Sequence, residues 1–175
     1  MEATYQPVSF EAEDAKHSRC IESLIKYYEG KLQFKKLPGK NQDGCDLLMK
    51  HKDVVSSIEI KSNAGVSAKG FSYPTWLVET YCDYEQTQLS GWAANKNLDN
   101  LIIFNLHTKK AYIYDANTLR NYVKKHLYNQ QPAGTGTGQY NKADKKCSWG
   151  LRLPWACVPA GFLKEIDLGE YLADK

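Results

Sequence analysis

Gln42-Asp43-Gly44-Cys45-Asp46-Leu47-Leu48-Met49 and Val54-Val55-Ser56-Ser57-Ile58-Glu59-Ile60-Lys61 are two short apolar runs separated by the polar tetrad Lys50-His51-Lys52-Asp53. That pattern predicts two strands joined by a tight turn. Asp46 opens the first run, Glu59 stands near the end of the second, and Lys61 lies two places further on. Strand side chains alternate faces, so Glu59 and Lys61 project from one side of the sheet, and a hairpin swings Asp46 in beside them. Two carboxylates and an ammonium on one face are costly to place together unless a cation binds there. The plainer reading is a solvated outer face, with Lys61 as a surface ion-pair partner.

The chain upstream begins with a lead-in, residues 1–12, expected to be loosely held. From Glu13 an amphipathic helix is expected, with Ala15, Cys20, Ile21, Leu24, Ile25, Tyr27 and Tyr28 on its apolar stripe and Gly30 at its end. Glu22 lies beside that stripe and is a candidate to point inward. Leu32-Gln33-Phe34 reads as a short strand, and Leu37-Pro38-Gly39-Lys40-Asn41 as turn chemistry. Downstream of Lys61, the small polar run Ser62 to Gly70 predicts a mobile loop. Thr75 to Tyr81 is rich in β-branched and aromatic residues and predicts a strand. Gly91 to Lys96 reads as a short helix.

Leu101-Ile102-Ile103-Phe104-Asn105-Leu106 predicts a strand buried on both faces. A turn at His107-Thr108-Lys109 leads to a strand over Lys110 to Tyr114. Asp115 or Asn117 caps a helix that buries Leu119, Tyr122 and Val123. Residues 129–146, with Gly134-Thr135-Gly136-Thr137-Gly138 near their centre, form a flexible loop by composition. No Gly-Lys-Ser/Thr ending follows those glycines, so they are not a P-loop. Strands at Trp149 to Leu153 and Trp155 to Val158, and a last helix over Ala160 to Tyr171, complete the expectation. Nothing divides the chain, so residues 1–175 are expected to form a single domain.

With 175 residues the chain is large enough to bury a core of its own. The net charge is only +3, so a basic face for an anionic partner has to come from local clustering. No run reaches the roughly 20 apolar residues of a membrane span. Met-Glu-Ala-Thr-Tyr-Gln has neither the basic start nor the apolar core of a signal peptide, and a cytoplasmic location is expected, the host cytoplasm if the chain is phage-encoded. Cys20, Cys45, Cys82, Cys147 and Cys157 are odd in number and contain no CxxC pair. That spacing argues against zinc and for reduced, structural thiols. His17, His51, His107 and His126 show no ligand spacing and receive no chemical role.

Asp46 and Glu59 at the lip of a hairpin offer hard oxygen donors suited to Mg²⁺ or Mn²⁺, and the Ile60 carbonyl is a third candidate ligand. A metal so held polarises a phosphate oxygen and acidifies a bound water. Lys61 beside it either orients that water or stabilises the extra charge of the transition state. Phosphodiester hydrolysis needs little else.

Asp46, a turn, then Glu59-Ile60-Lys61 resembles the signature of the PD-(D/E)XK nuclease superfamily: an acidic residue, a variable gap, and acidic-x-Lys on the next strand. Type II restriction enzymes, Holliday junction resolvases and many phage and repair nucleases belong to it. The expected order of elements also looks like the superfamily core. A narrower likeness is to phage and mobile-element members with a Gln-x-x-Gly-x-Asp opening, here one residue shorter as Gln42 to Asp46. Those members also tend to carry a Glu-bearing strand, a Gly-Trp pair and a late Val-Pro, matched by Glu79, Gly91-Trp92 and Val158-Pro159. Cys45 stands where the superfamily signature has proline.

The resemblance implies an α/β fold, with a restriction-endonuclease-like αβββαβ core whose central mixed sheet is flanked by helices. It implies a Mg²⁺- or Mn²⁺-dependent nuclease acting on DNA, and a homodimer if both strands are cut. It assigns Asp46, Glu59 and Lys61 to the site. Glu22 is the best match to the acidic residue that members often carry on the first helix, and Glu79 competes with it as supporting acid or further metal ligand.

Lys40, Lys69, Lys142, Lys145 and Lys146 are candidate phosphate contacts, and Tyr73 and Trp92 candidate stacking platforms. A different class of function remains open, namely a non-catalytic nucleic-acid-binding or host-protein-interaction module on the same fold.

Overall fold

The structure, a computed structural model, describes residues 10–38, 45–63, 65–66, 70–81, 91–129, 139–141 and 146–172. Helix α1 (Phe10–Tyr27) is followed by strands β1 (Gln33–Lys36), β2 (Leu47–His51), β3 (Val54–Asn63) and β4 (Thr75–Tyr81). After a 3₁₀ turn at Gly91–Ala93 come β5 (Asn100–Asn105), β6 (Lys110–Asp115), α2 (Ala116–Asn129), β7 (Gln139–Asn141) and β8 (Lys146–Pro154). A second 3₁₀ turn, Val158–Ala160, precedes β9 (Phe162–Asp167). The main sheet is mixed, with order β1-β2-β3-β5-β6-β9, and β4-β8-β7 form a smaller antiparallel sheet. β1, β2 and β3 form an antiparallel meander, β3 and β5 run parallel, and β5, β6 and β9 are antiparallel again.

Alternation along the strands sorts the core onto two faces of the sheet. Ile58, Ile60, Ile102 and Phe104 pack with Cys20, Ile21 and Leu24 of α1. Leu101, Ile103, Tyr112 and Tyr114 pack with Leu119 and Val123 of α2 and with Trp76, Val78, Leu151 and Leu153 of the smaller sheet. β5 is therefore buried on both faces, and its near-continuous apolar run follows from that position. The Tyr114 hydroxyl donates to the Trp155 carbonyl at 2.7 Å and accepts from the Cys157 amide at 3.1 Å, so its burial leaves no polar atom stranded.

Three local devices fix the parallel β3–β5 pair. Ser57 and Asp99 are interlocked: the Ser57 amide donates to Asp99 Oδ2 at 2.7 Å and the Asp99 amide to Ser57 Oγ at 3.1 Å. Buried Arg120 of α2 donates to the Ala93 carbonyl at 2.9 Å and the Asn95 carbonyl at 2.6 Å, holding the approach to β5 against the helix. Gly65, at φ +69°, lies so close to buried Asn105 that a Cβ there would stand 2.0 Å from Asn105 Oδ1. That oxygen accepts the His107 and Thr108 amides, each at 3.1 Å, in the turn after β5.

The mixed sheet with helices is the α/β architecture expected from sequence, and several segments differ in detail. α1 begins at Phe10, so part of the expected lead-in is helical. β3 continues through Ser62 and Asn63, inside the segment expected to be loop, because β5 runs beside it, and Val66 of that segment bridges Ser72 just beyond it. β7 lies within the expected 129–146 loop, paired with β8. Among the described residues the crossover from β3 to β5 carries β4 and a 3₁₀ turn, and α2 follows β6. The expected strand at Trp155 to Val158 is a turn leading into the 3₁₀ turn, of which Pro159 is the second residue.

The expected last helix is instead β9. Gly161 at φ +87° reverses the chain, and the open edge of β6 then pairs with Phe162–Asp167, with one register shift that leaves Leu163 out of the ladder. Short apolar spacings of this kind fit either period, and the available strand edge decides.

Candidate active site

β3 is twice as long as β2, with ten residues against five. β2 covers only Val54 to Ile58, and β5 pairs with Ile58 to Asn63 on the other side. The β2-facing edge of Glu59-Ile60-Lys61 is therefore left by the strand ladder, and Asp46 takes it over. The Asp46 amide donates to the Ile58 carbonyl at 2.9 Å, and Asp46 Oδ2 accepts the Ile60 amide at 2.7 Å. A side-chain carboxylate thus stands in for a missing strand acceptor. The N–H and C=O of one strand residue point to the same edge, so the Ile60 carbonyl faces the same opening.

Glu59 and Lys61 are in register with Leu101 and Ile103, which places them on the sheet face opposite α1. Lys61 Nζ is 2.7 Å from Glu59 Oε1. Glu59 is largely covered, with 15% of its side chain exposed, whereas Lys61 is 48% exposed. From the other face His17 of α1 reaches the edge, its Nε2 3.3 Å from Asp46 Oδ1. Two contact pairs, His17–Asp46 and Glu59–Lys61, therefore flank one rim, each within reach of the other's charge.

Their protonation follows from this placement. Burial pushes the Asp46 carboxyl up, but the hydrogen bonds from His17 and the Ile60 amide and the charges of His17 and Lys61 outweigh it, leaving the carboxyl below its ordinary value. Burial raises Glu59; Lys61 opposes the rise, nearby Asp46 adds to it, and the result is a carboxyl above its ordinary value. The hydrogen bond to Asp46 raises the His17 imidazole against the opposing effect of its own burial. Environment thus shifts the two carboxyls in opposite directions.

Among the described residues no three His, Cys, Asp or Glu side chains are grouped to hold a metal. The donors at the rim are two carboxylates and one backbone carbonyl. That set fits Mg²⁺ or Mn²⁺, which are held by one or two carboxylates with waters and substrate phosphates completing the shell. A cavity of about 430 Å³, lined in part by Tyr28, Met49, His51 and Lys164, lies toward the opposite end of β2 and β3. The acidic rim is an open edge of the sheet.

The remaining sequence candidates are distributed elsewhere. Glu22 is exposed on α1, flanked by buried Ile21 and Ser23. Five residues from His17 turn it about 140° around the helix, and it does not join the rim. Glu79 lies in β4, in backbone register with Gly150 of the smaller sheet. Lys146 opens β8. Lys40, Lys69, Lys142 and Lys145 fall outside the described residues. Trp92 is buried in the core and is no stacking platform. Tyr73 is exposed, with the Arg152 guanidinium 5.4 Å from its ring centre.

His17 is the side chain that the sequence reading passed over. Its signal was positional: it falls three and four residues before Cys20 and Ile21, in line with the stripe that faces the sheet.

No protein-family model matches the chain. No curated protein matches it. Among solved structures, a bacterial homing endonuclease, I-Ssp6803I, is similar to this chain with a TM-score of 0.46 and 14% identity, over 66% of this chain and 74% of that one. A likeness that weak transfers no chemistry. Among the described residues no helix is long and apolar enough to cross a membrane.

Proposed function

We propose that this protein is a divalent-metal-dependent nuclease that hydrolyses phosphodiester bonds, with DNA as substrate. The observation that carries the reading is the meeting of Asp46, Glu59 and Lys61 at the edge of β3 that β2 leaves uncovered. Solvated surface charges do not account for it, because Asp46 is tied into the backbone of β3 and Glu59 is mostly buried.

Asp46 and Glu59 would hold Mg²⁺ or Mn²⁺, with the Ile60 carbonyl on the same edge. When bound, the ion supplies Lewis acidity toward a phosphate oxygen and lowers the pKa of a coordinated water. The depressed pKa of Asp46 keeps one ligand ionised across the neutral range. Glu59, raised by burial, is the ligand whose charge gains most from a cation beside it. Lys61 keeps its ammonium next to Glu59 and half open to solvent, where a phosphate can approach. There it orients the attacking water or stabilises charge developing on the phosphoryl oxygens.

The test is cleavage of single-stranded, duplex and branched DNA with Mg²⁺ or Mn²⁺. The expected result is metal-dependent cleavage, lost on Asp46→Ala and cut at least a hundredfold on Lys61→Ala. Variants as fast as the parent would overturn the assigned roles. Salt-sensitive DNA binding by a parent that neither cleaves nor binds metal would instead mark a binding module.

A further inference from the structure

We infer that His17 is a positioning residue for Asp46, fixing the carboxylate through which the proposed nuclease holds its metal ion. The inference rests on that reading of Asp46.

The two oxygens of Asp46 are held by two different elements. Oδ2 accepts the Ile60 amide of β3 at 2.7 Å, and Oδ1 faces His17 Nε2 of α1 at 3.3 Å. One bond alone leaves the carboxylate plane free to rotate about the line to Ile60. The His17 contact on the other oxygen restricts that rotation and so the directions open to the remaining lone pairs. A carboxylate accepts more than two hydrogen bonds, so both contacts leave capacity for a cation.

His17 is itself firmly placed, because Cys20 and Ile21 on the next turn are buried against Ile58 and Ile60. The imidazole thus transmits the position of the helix to the rim. Glu22, the acidic residue of α1 that the resemblance favours, is exposed and does not reach it. Partners of this kind, one bond removed from a metal, typically govern affinity or activity by about 10–100-fold. The donor is Nε2–H, which the neutral Nε2-protonated tautomer and the imidazolium both possess.

The experiment is Mn²⁺ binding by calorimetry to the full chain without DNA, for the parent, His17→Ala, His17→Gln and His17→Leu, with melting curves alongside. Glutamine places an amide donor near the position of Nε2; leucine fills similar space with none. Alanine and leucine are expected to weaken Mn²⁺ binding by about 10–100-fold, and glutamine to recover most of it. A purely structural role would follow the melting temperature and would not separate glutamine from leucine. If His17→Ala does not fold, the glutamine–leucine comparison decides. A parent that binds Mn²⁺ together with an alanine variant of equal affinity, or equal binding by glutamine and leucine, overturns the role of His17 alone. A parent that binds no Mn²⁺ overturns the metal-site reading, and this inference with it.

Discussion

Replacing Asp46 with asparagine and with alanine separates its structural bond from its chemistry. Both changes remove the charge, so both lose the interaction with Lys61 and relieve the repulsion that helps raise Glu59. They differ in what they leave for the Ile60 amide, which donates to Asp46 Oδ2 at 2.7 Å in a partly buried setting. Asparagine keeps an amide oxygen there; alanine leaves the N–H without its acceptor. An orphaned buried donor costs about 1–3 kcal/mol, and a neutral acceptor recovers roughly half of what the carboxylate gave. The alanine variant should therefore be about 1–2 kcal/mol less stable than the asparagine variant, or about 2–8 °C lower in melting temperature for a chain of this size. Thermal and urea unfolding in EDTA measure the difference, and hydrogen exchange at Ile60 locates it. The amide should stay protected in the parent and in Asp46→Asn and exchange faster in Asp46→Ala. Equal melting, or an asparagine variant below the alanine one, would refute the claim that Asp46 completes the edge of β3.

Three further outcomes are expected. Gly65→Ala has to adopt φ +69° and drive a Cβ into Asn105, which holds the His107 and Thr108 amides; a loss of about 3 kcal/mol is expected in urea unfolding, and less than 1 would contradict the packing. Arg120→Met strips the Ala93 and Asn95 carbonyls of their donors and should cost about 2 kcal/mol, with faster amide exchange over residues 91–97. Burial pushes the Cys20 thiol up from 9.0 to about 12. Its contribution to stability is therefore intact below pH 9 and is lost as pH rises toward 12, because the unfolded thiol ionises first. By pH 10 the loss is roughly 1.4 kcal/mol, and Cys20→Val should show a correspondingly flatter fall in melting temperature above pH 9.

The legible parts of this chain were those where one period dominated a long segment. Leu101 to Asn105 could only be a strand buried on both faces, and the stripe of Cys20, Ile21 and Leu24 could only be a helix on a sheet. Asp115 announced the start of α2, and its carboxylate accepts the Thr118 amide at 2.7 Å. The C-terminal segment was misleading because six residues with apolar positions at mixed spacing suit a helix or an edge strand equally. The free edge of β6, which no local pattern reveals, made it β9.

The sequence by itself determined that Glu59 and Lys61 share a face and that Asp46 lies close to them across a short turn. Both follow from the two-residue period of a strand and the reach of a hairpin. Tertiary structure alone decided which other groups arrive at that rim. β2 stops short of Glu59, so Asp46 rather than another strand satisfies Ile60. α1 crosses β3 at an angle that delivers His17 and turns Glu22 to solvent. The chain sends Glu79 into the smaller sheet. Helix periodicity says which residues share a stripe; where that stripe lands on a sheet is set by packing between elements distant in sequence.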